Sequence, residues 1–373
     1  MKIDDFRLER FFARWEFAVR HVLCASDVEP VSLEELLGLA DEDSLERWRS
    51  LSLGYTEPPG LPALREAVAE LHPGLGPDDV MVVSGAQEGI FLLLNAALEA
   101  GDHAIVVWPA YQSLFEVARS AGAEVTLLPL RHEEGWALDV NALARAVRPD
   151  TRLIVVNYPH NPTGAHLDED AFRRVVALAG DAGATLLSDE VYRFLELDGR
   201  PCLPPAAGLD ETAVSLGVLS KAFGLPGLRI GWLATRDHAL LDRAARLKDY
   251  TTICASAPSE VLALAALRAR AALLERSRGI VTANLALLDG FFRRWEPRFE
   301  WVRPAAGSIA FPRLRDGGDA DAFVADLVEA EGVLLLPGSA FAAGTDHFRV
   351  GYGRTDMAEA LEKLEGFLRR HAA

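Results

Sequence analysis

Cysteine is the first scarcity in this chain. Its three residues, Cys24, Cys202 and Cys254, are odd in number and far apart, which argues against a disulfide framework and reads as reduced thiols in a cytoplasmic protein. Positive charge is also in deficit: 38 Lys+Arg stand against 55 Asp+Glu, a formal charge of −17. Phosphate backbones and anionic lipid demand a basic stripe, so neither nucleic acid nor a membrane surface is expected as a partner. Long apolar runs are missing too. Nothing approaches the roughly 18 residues that cross a bilayer, and LALAALRARAALL is broken by arginines. The opening MKIDDFRLER carries too much charge for a signal peptide. There is no Walker loop, no GxGxxG, no HExxH and no GxSxG. Nucleotide-binding loops, metal sites and serine hydrolases of those types drop out, and no metal is expected.

What is present begins with ordinary bulk. At 373 residues, 50% hydrophobic and 25% charged, the chain has the balance of a soluble globular protein with room for two domains. From residue 80 a pattern repeats: VMVVS (80–84), AIVVW (104–108), EVTLLPL (124–130), RLIVVN (152–157), ATLLS (184–188), AVSLGVL (213–219) and LRIGWLA (228–234). Helical stretches separate these runs, among them QEGIFLLLNAALEA, YQSLFEVARSAG and segments near 139–147, 168–181 and beyond Arg236. The alternation predicts an α/β fold, a mostly parallel sheet with helices on both faces. Residues 49–255 are expected to form this large domain. Residues 1–48 and 256–373, with AGSIAFPRL, GVLLLPG and HFRVGYGR as strands, are expected to form a small α+β domain from both termini.

Ligands of such sheets bind beyond the carboxyl ends of the strands, and the unusual residues gather there. Gly85-Ala86-Gln87, Pro109-Ala110-Tyr111, Tyr158-Pro159-His160-Asn161-Pro162-Thr163-Gly164, Asp189-Glu190-Val191-Tyr192 and Lys221 each follow a strand. Singly, each has an ordinary reading: a βα turn, a structural loop, an N-capping aspartate, a packed tyrosine. Five strand ends converging on one crevice make a site. In SLGVLSKAFGLPGLRIGW, Lys221 and Arg229 have no carboxylate nearby in sequence. A buried cation without a partner is costly, so a bound anion is expected there. Free N–H groups at Gly85-Ala86-Gln87 offer a cradle for a phosphate.

NPTG, SDEVY, SKAFGLPGLRIG and FRVGYG, in this order, resemble the class I/II aminotransferases, enzymes of pyridoxal 5′-phosphate (PLP) with fold type I. Asn161 to Asp189 is 28 residues, Asp189 to Lys221 is 32, and Lys221 to Arg229 is 8. The resemblance implies a seven-stranded sheet and a homodimer. It implies that Lys221 holds PLP as a Schiff base and moves the Cα proton, and that Asp189 pairs with the pyridinium nitrogen. Asn161 and Tyr192 would bond the ring's phenolic oxygen, and Tyr111 would stack on the ring. Arg229 and Gly85-Ala86-Gln87 would take the phosphate, with Tyr55 of LGYTEPPGLPALREAV reaching it from the partner subunit. Arg349 would fork onto the substrate α-carboxylate, a role also shared by Asn161. Arg354 receives no role. One departure stands out: the family often has serine or threonine three residues before the lysine, and this chain has Val218. Ser220 would be the substitute phosphate ligand, in a clamp weaker or rearranged relative to the family's.

The reaction implied is transfer of an amino group between an L-amino acid and a 2-oxo acid. VVNYPHNPTGA, SKAFGLPGLRIGW and KDYTTICASAPSE also resemble capreomycidine synthase-like members, implying cyclisation, elimination or oxidation of an arginine-derived amino acid. Asp27, Glu29 and Asp249 are then candidate partners for a guanidinium, and the ASAPSE region offers no arginine for a dicarboxylate. A third class, regulators of this fold with an appended DNA-binding module, fits poorly. No basic N-terminal module appears, and Lys221 and Asp189 are both present.

Overall fold

The computed structural model describes residues 2–371. Seven strands build the central sheet: β1 (Val80–Val83), β2 (His103–Trp108), β3 (Glu124–Pro129), β4 (Thr151–Asn157), β5 (Thr185–Asp189), β6 (Ala213–Val218) and β7 (Gly231–Ala234). Their order is β1-β7-β6-β5-β4-β2-β3. Only β7 runs against its neighbours, pairing antiparallel with both β1 and β6. The other pairings are parallel.

Apolar character on both faces of these strands dictates this arrangement. Ala104, Val106, Leu153, Val155 and Leu187 belong to one core, while Ile105, Val107, Ile154, Val156 and Leu186 belong to the other. The two-residue period sends alternate side chains to opposite faces, and helices must cover both. Gly85–Ala97, Ser113–Ser120, Val140–Ala146, Glu169–Ala182 and His238–Lys248 are among them. At the edge, β3 exposes Glu124, a charge that discourages further pairing.

The expected strand at 228–234 starts three residues late. Pro226–Leu228 form a single 3-10 turn and Arg229 takes a left-handed φ of 53°. The chain therefore turns through Arg229 before β7 begins.

The C-terminal part holds five short strands: β8 (Phe299–Glu300), β9 (Ile309–Ala310), β10 (Arg313–Leu314), β11 (Leu336–Pro337) and β12 (Phe348–Gly351). They form a β10-β8 pair and a β11-β12-β9 sheet, packed with the helices Arg270–Arg294, Ala320–Glu331 and Met357–Arg370. The N-terminal segment runs along β12. Gly351 N–H donates to Leu23 O at 2.9 Å and Glu29 N–H to Gly353 O at 2.8 Å. The approach is so close that a Cβ on Gly351 would lie 2.0 Å from Ala25 O. The helix Ala257–Arg268, just past the expected domain division at 255/256, packs on Leu33–Leu39, Glu42–Arg49 and Pro62–Ala69. Among the described residues, no helix is long and apolar enough to cross a membrane.

Candidate active site

The floor of the crevice is the junction of β4 and β5, whose last residues, Asn157 and Asp189, are register partners. Asn157 is a hub. Its Nδ2 donates to Asp189 O at 2.9 Å, and its Oδ1 accepts from Asn161 N–H at 2.8 Å. The Asn161 loop is thereby tied to the sheet. Asp189 is almost fully buried, and among the described residues its carboxylate accepts one hydrogen bond, from Val191 N–H to Oδ1 at 3.2 Å. Burial pushes its pKa up to about 7, although that hydrogen bond and Lys221 pull the other way. A carboxylate so placed needs a cation that the chain supplies only in part.

Lys221 lies beyond the end of β6. Its Nζ donates to Ser26 Oγ at 2.8 Å and stands 5.7 Å from the Tyr192 ring centroid. The Tyr192 hydroxyl is buried and unpartnered. Arg349, on β12, is only 1% exposed. Its Nη1 donates to Asn161 Oδ1 at 3.2 Å and its Nη2 to Cys24 O at 2.8 Å, while Nε has no partner. Part of a buried guanidinium fork is thus left free for an anion.

A second anion seat lies at the start of the helix Gly85–Ala97, which has no side-chain cap. Its first N–H groups therefore remain available. Gly85 has φ +77°, and a Cβ there would sit 2.3 Å from Arg229 Nη2. Gly231 is equally confined, since its Cβ would fall 3.0 Å from Ala86 N. Bare backbone N–H groups and a guanidinium thus share one small cup, suited to a phosphate.

Residues 47–364 match the model of the family "Aminotransferase class I and II". The chain belongs to that family. It is 32% identical over 382 aligned positions to the capreomycidine synthase of Streptomyces vinaceus, covering 99% of this chain and 94% of the relative. A PLP-dependent aminotransferase from Streptococcus suis superposes with TM-score 0.92 at 34% identity, covering 99% of each chain. The PLP-dependent cyclase OrfR superposes with TM-score 0.92 at 31% identity, covering 100% of this chain and 98% of its own.

The family's cofactor is PLP, and the residues fit it. The cup would take a phosphate, the under-partnered Asp189 a protonated ring nitrogen, and the orphaned Tyr192 hydroxyl an oxygen. Ser220 Oγ is likewise buried and unpartnered, whereas Val218 at the end of β6 offers no polar atom. Gln87, third in the cup segment, is exposed. The hydroxyl of Tyr111 donates to Glu9 Oε1 at 2.9 Å, and its ring packs 4.9 Å from Phe6. Tyr55 is 91% exposed, outside the site of its own chain.

Sequence reasoning missed Asn157, Ser26 and Cys24, and it named Asp27, Glu29 and Asp249 as guanidinium partners beside the ordinary reading of surface charges. Asp27 is closed by Arg354, both oxygens at 3.0 Å from Nη2. Glu29 accepts from Thr355 N–H at 2.9 Å. Asp249 is exposed. Among the described residues, no group of three or more His, Cys, Asp or Glu is placed to hold a metal ion.

Proposed function

We propose that the protein is an aminotransferase, moving an amino group between an L-amino acid and a 2-oxo acid. The supporting observation is one buried site that combines the Lys221 amine, the under-partnered Asp189 carboxylate and the free edge of Arg349. When bound, PLP supplies an electron sink for the pair left behind at Cα.

The chain does the rest. Arg349 takes the α-carboxylate through its planar fork, which fixes Cα relative to Lys221. Lys221 Nζ accepts the Cα proton and delivers it again, a transfer within one positioned pair. Asp189 would hold the ring nitrogen protonated by accepting its hydrogen bond. Tyr192 Oη and Asn161 would hold the ring oxygen, and Arg229 with the Gly85-Ala86-Gln87 turn would anchor the phosphate.

The likeness to a capreomycidine synthase and a PLP-dependent cyclase favours a second reading: a cyclase, lyase or oxidase needing no 2-oxo acid. Purified PLP-loaded protein mixed with single L-amino acids, without an oxo acid, separates the two. Amino transfer converts the cofactor once, stoichiometrically, and stops. Product accumulating over many turnovers overturns transfer in favour of the second reading. A cofactor spectrum indifferent to every amino acid sinks both.

The proposal includes a homodimer. Leu53, Tyr55, Tyr250 and Ile253 are large exposed apolar residues. Their two segments are held together: Thr56 Oγ1 donates to Ala255 O at 3.2 Å, and Lys248 Nζ to Pro58 O at 2.8 Å and Ile253 O at 2.9 Å. Such a face supports burial against a second copy and the placing of Tyr55 at its phosphate.

A further inference from the structure

Two histidines outside the site tie the strand of Arg349 to the turn that follows β3. His347 is bridged to Arg313 immediately before β12, and His132 opens the 3-10 turn His132–Glu134. Across 215 positions of sequence, His347 Nε2 lies 3.2 Å from His132 Nδ1. His347 Nδ1 lies 2.8 Å from Asp346 Oδ1. At the other end, His132 Nε2 stands 3.2 Å from Glu300 Oε2, which already accepts from Arg313 Nε at 3.0 Å. Both rings are mostly buried, and neither has a part in the chemistry above.

Counting protons fixes the state of the pair. A carboxylate only accepts, so His347 carries its ring proton on Nδ1 and keeps Nε2 as an acceptor. His132 must then donate from its own Nδ1. Two neutral rings thus make two hydrogen bonds in series, with no proton to spare. A further proton is opposed. Burial above all holds both rings below the ordinary imidazole value, and Arg313 adds to this. Glu300, Glu133 and Asp346 offset it only in part, and Arg315 brings more positive charge behind Glu300, at 3.5 Å from its Oε1.

The pair reaches Arg349 by contact. His347 and Arg349 are two residues apart in extended chain, so their side chains share a face. Phe311 stacks on His347 at 5.0 Å between centroids, and Phe341 meets Phe311 at 5.8 Å. The Arg349 guanidinium carbon then lies 5.5 Å from the Phe341 centroid. Trp136 closes the block, 5.4 Å from His132 and 5.3 Å from His347. A packed block of this kind shifts between discrete arrangements rather than yielding smoothly. With the histidine tie broken, Arg349 is left to be placed by Asn161 and Cys24.

We infer that the neutral His132–His347 pair is a positioning joint for Arg349: closed, it holds the guanidinium where a substrate carboxylate lands, and acid opens it. This rests on the PLP-dependent reading, in which Arg349 takes that carboxylate, and it holds for either reaction. An open joint returns both rings to water and to their ordinary affinity for protons, about pH 6.5. The closed joint binds fewer protons, so it is favoured as pH rises past that value and lost as pH falls below it.

Two reagents that differ by one carboxylate test this without knowledge of the substrate. PLP-loaded full-length protein is mixed with aminooxyacetate or with O-methylhydroxylamine, and capture of the cofactor is followed by absorbance. The ratio of the two rates reports the grip on a carboxylate and cancels whatever else titrates at the cofactor. Wild type is expected to prefer aminooxyacetate at least roughly tenfold at about pH 7.5, falling roughly fivefold by about pH 5.5. His132→Phe keeps the ring packing and loses the hydrogen bond, so it should show the lowered preference at both pH values. Its capture by O-methylhydroxylamine should be unchanged, which an unfolded variant could not show. His132→Asn places a donor near the Nδ1 position that does not titrate, and should keep the preference at both. In the cofactor-free protein, nitrogen NMR of the imidazoles should find both rings in the Nδ1–H form at neutral pH, titrating as a pair. A wild-type preference in His132→Phe, an acid drop that survives in His132→Asn, or an Nε2–H form of either ring overturns the inference and leaves the PLP reading intact. Equal capture of both reagents by wild type overturns the seating of a carboxylate on Arg349, and the inference with it. A cofactor that neither reagent captures overturns the PLP reading itself.

Discussion

The two halves of the crevice are built in different ways. The cofactor half is made by strand ends: Asn161, Asp189, Tyr192 and Lys221 each lie within four residues of the last residue of β4, β5 or β6, and the cup opens the helix after β1. The substrate half is made by docking. Ser26 meets Lys221 across 195 positions of sequence, and Cys24 meets Arg349 across 325. A sheet fixes its own ends, so short loops suffice to aim side chains there. A wall assembled from distant segments can change its chemistry without disturbing the sheet. On the proposed function, one half would set the class of chemistry and the other what undergoes it.

Breaking the first half has the largest expected effect. Lys221→Ala should lower turnover by roughly a thousandfold or more, and borohydride reduction should no longer fix the cofactor's mass to the chain. A fully active alanine variant would remove Lys221 from the chemistry.

Asp189→Asn comes next, with turnover down roughly a hundredfold through loss of the ring-nitrogen partner. Its effect on the cofactor-free protein sharpens the comparison further. The Asp189 carboxyl titrates near pH 7 in the folded chain against an ordinary 3.8. The unfolded chain ionises first, folding takes up a proton between those values, and stability from this group falls as pH rises through that window. The cofactor-free Asn variant is therefore expected to unfold at a higher temperature than wild type at pH 8. The gap should close as pH falls toward 4. A gap independent of pH would place the cost elsewhere than in the buried charge.

The smallest effect belongs to a residue outside its own site. Tyr55→Phe removes one hydroxyl proposed to reach the partner subunit's phosphate, which should weaken PLP binding roughly tenfold. The preference among amino acids should not move. Unchanged cofactor affinity would take Tyr55 out of the cup.

This division also explains what was legible beforehand. β-Branched runs bounded by turn residues marked all seven strands, since the apolar period and the burial of both faces leave few alternatives. The late start of β7 was not legible, because LRIGWLA is apolar and only the left-handed Arg229 interrupts it. Within the site, Lys221, Asp189, Asn161 and Arg229 sit at strand ends in a recognisable order. Asn157 lay hidden as the last residue of a strand, its amide sealing the Asn161 loop. Asp27 and Glu29 were legible only as acids, and their engagement by Arg354 and Thr355 shows in the fold alone.

The strap of residues 21–29 along β12 also sets an order of assembly. Pairing between strands of the large sheet closes comparatively short loops, whereas bringing Cys24 to Arg349 spans 325 positions. Contacts of long sequence separation form late, because their loop entropy must be offset by structure already in place. A folding chain is thus expected to acquire its grip on the cofactor before it can recognise an amino acid.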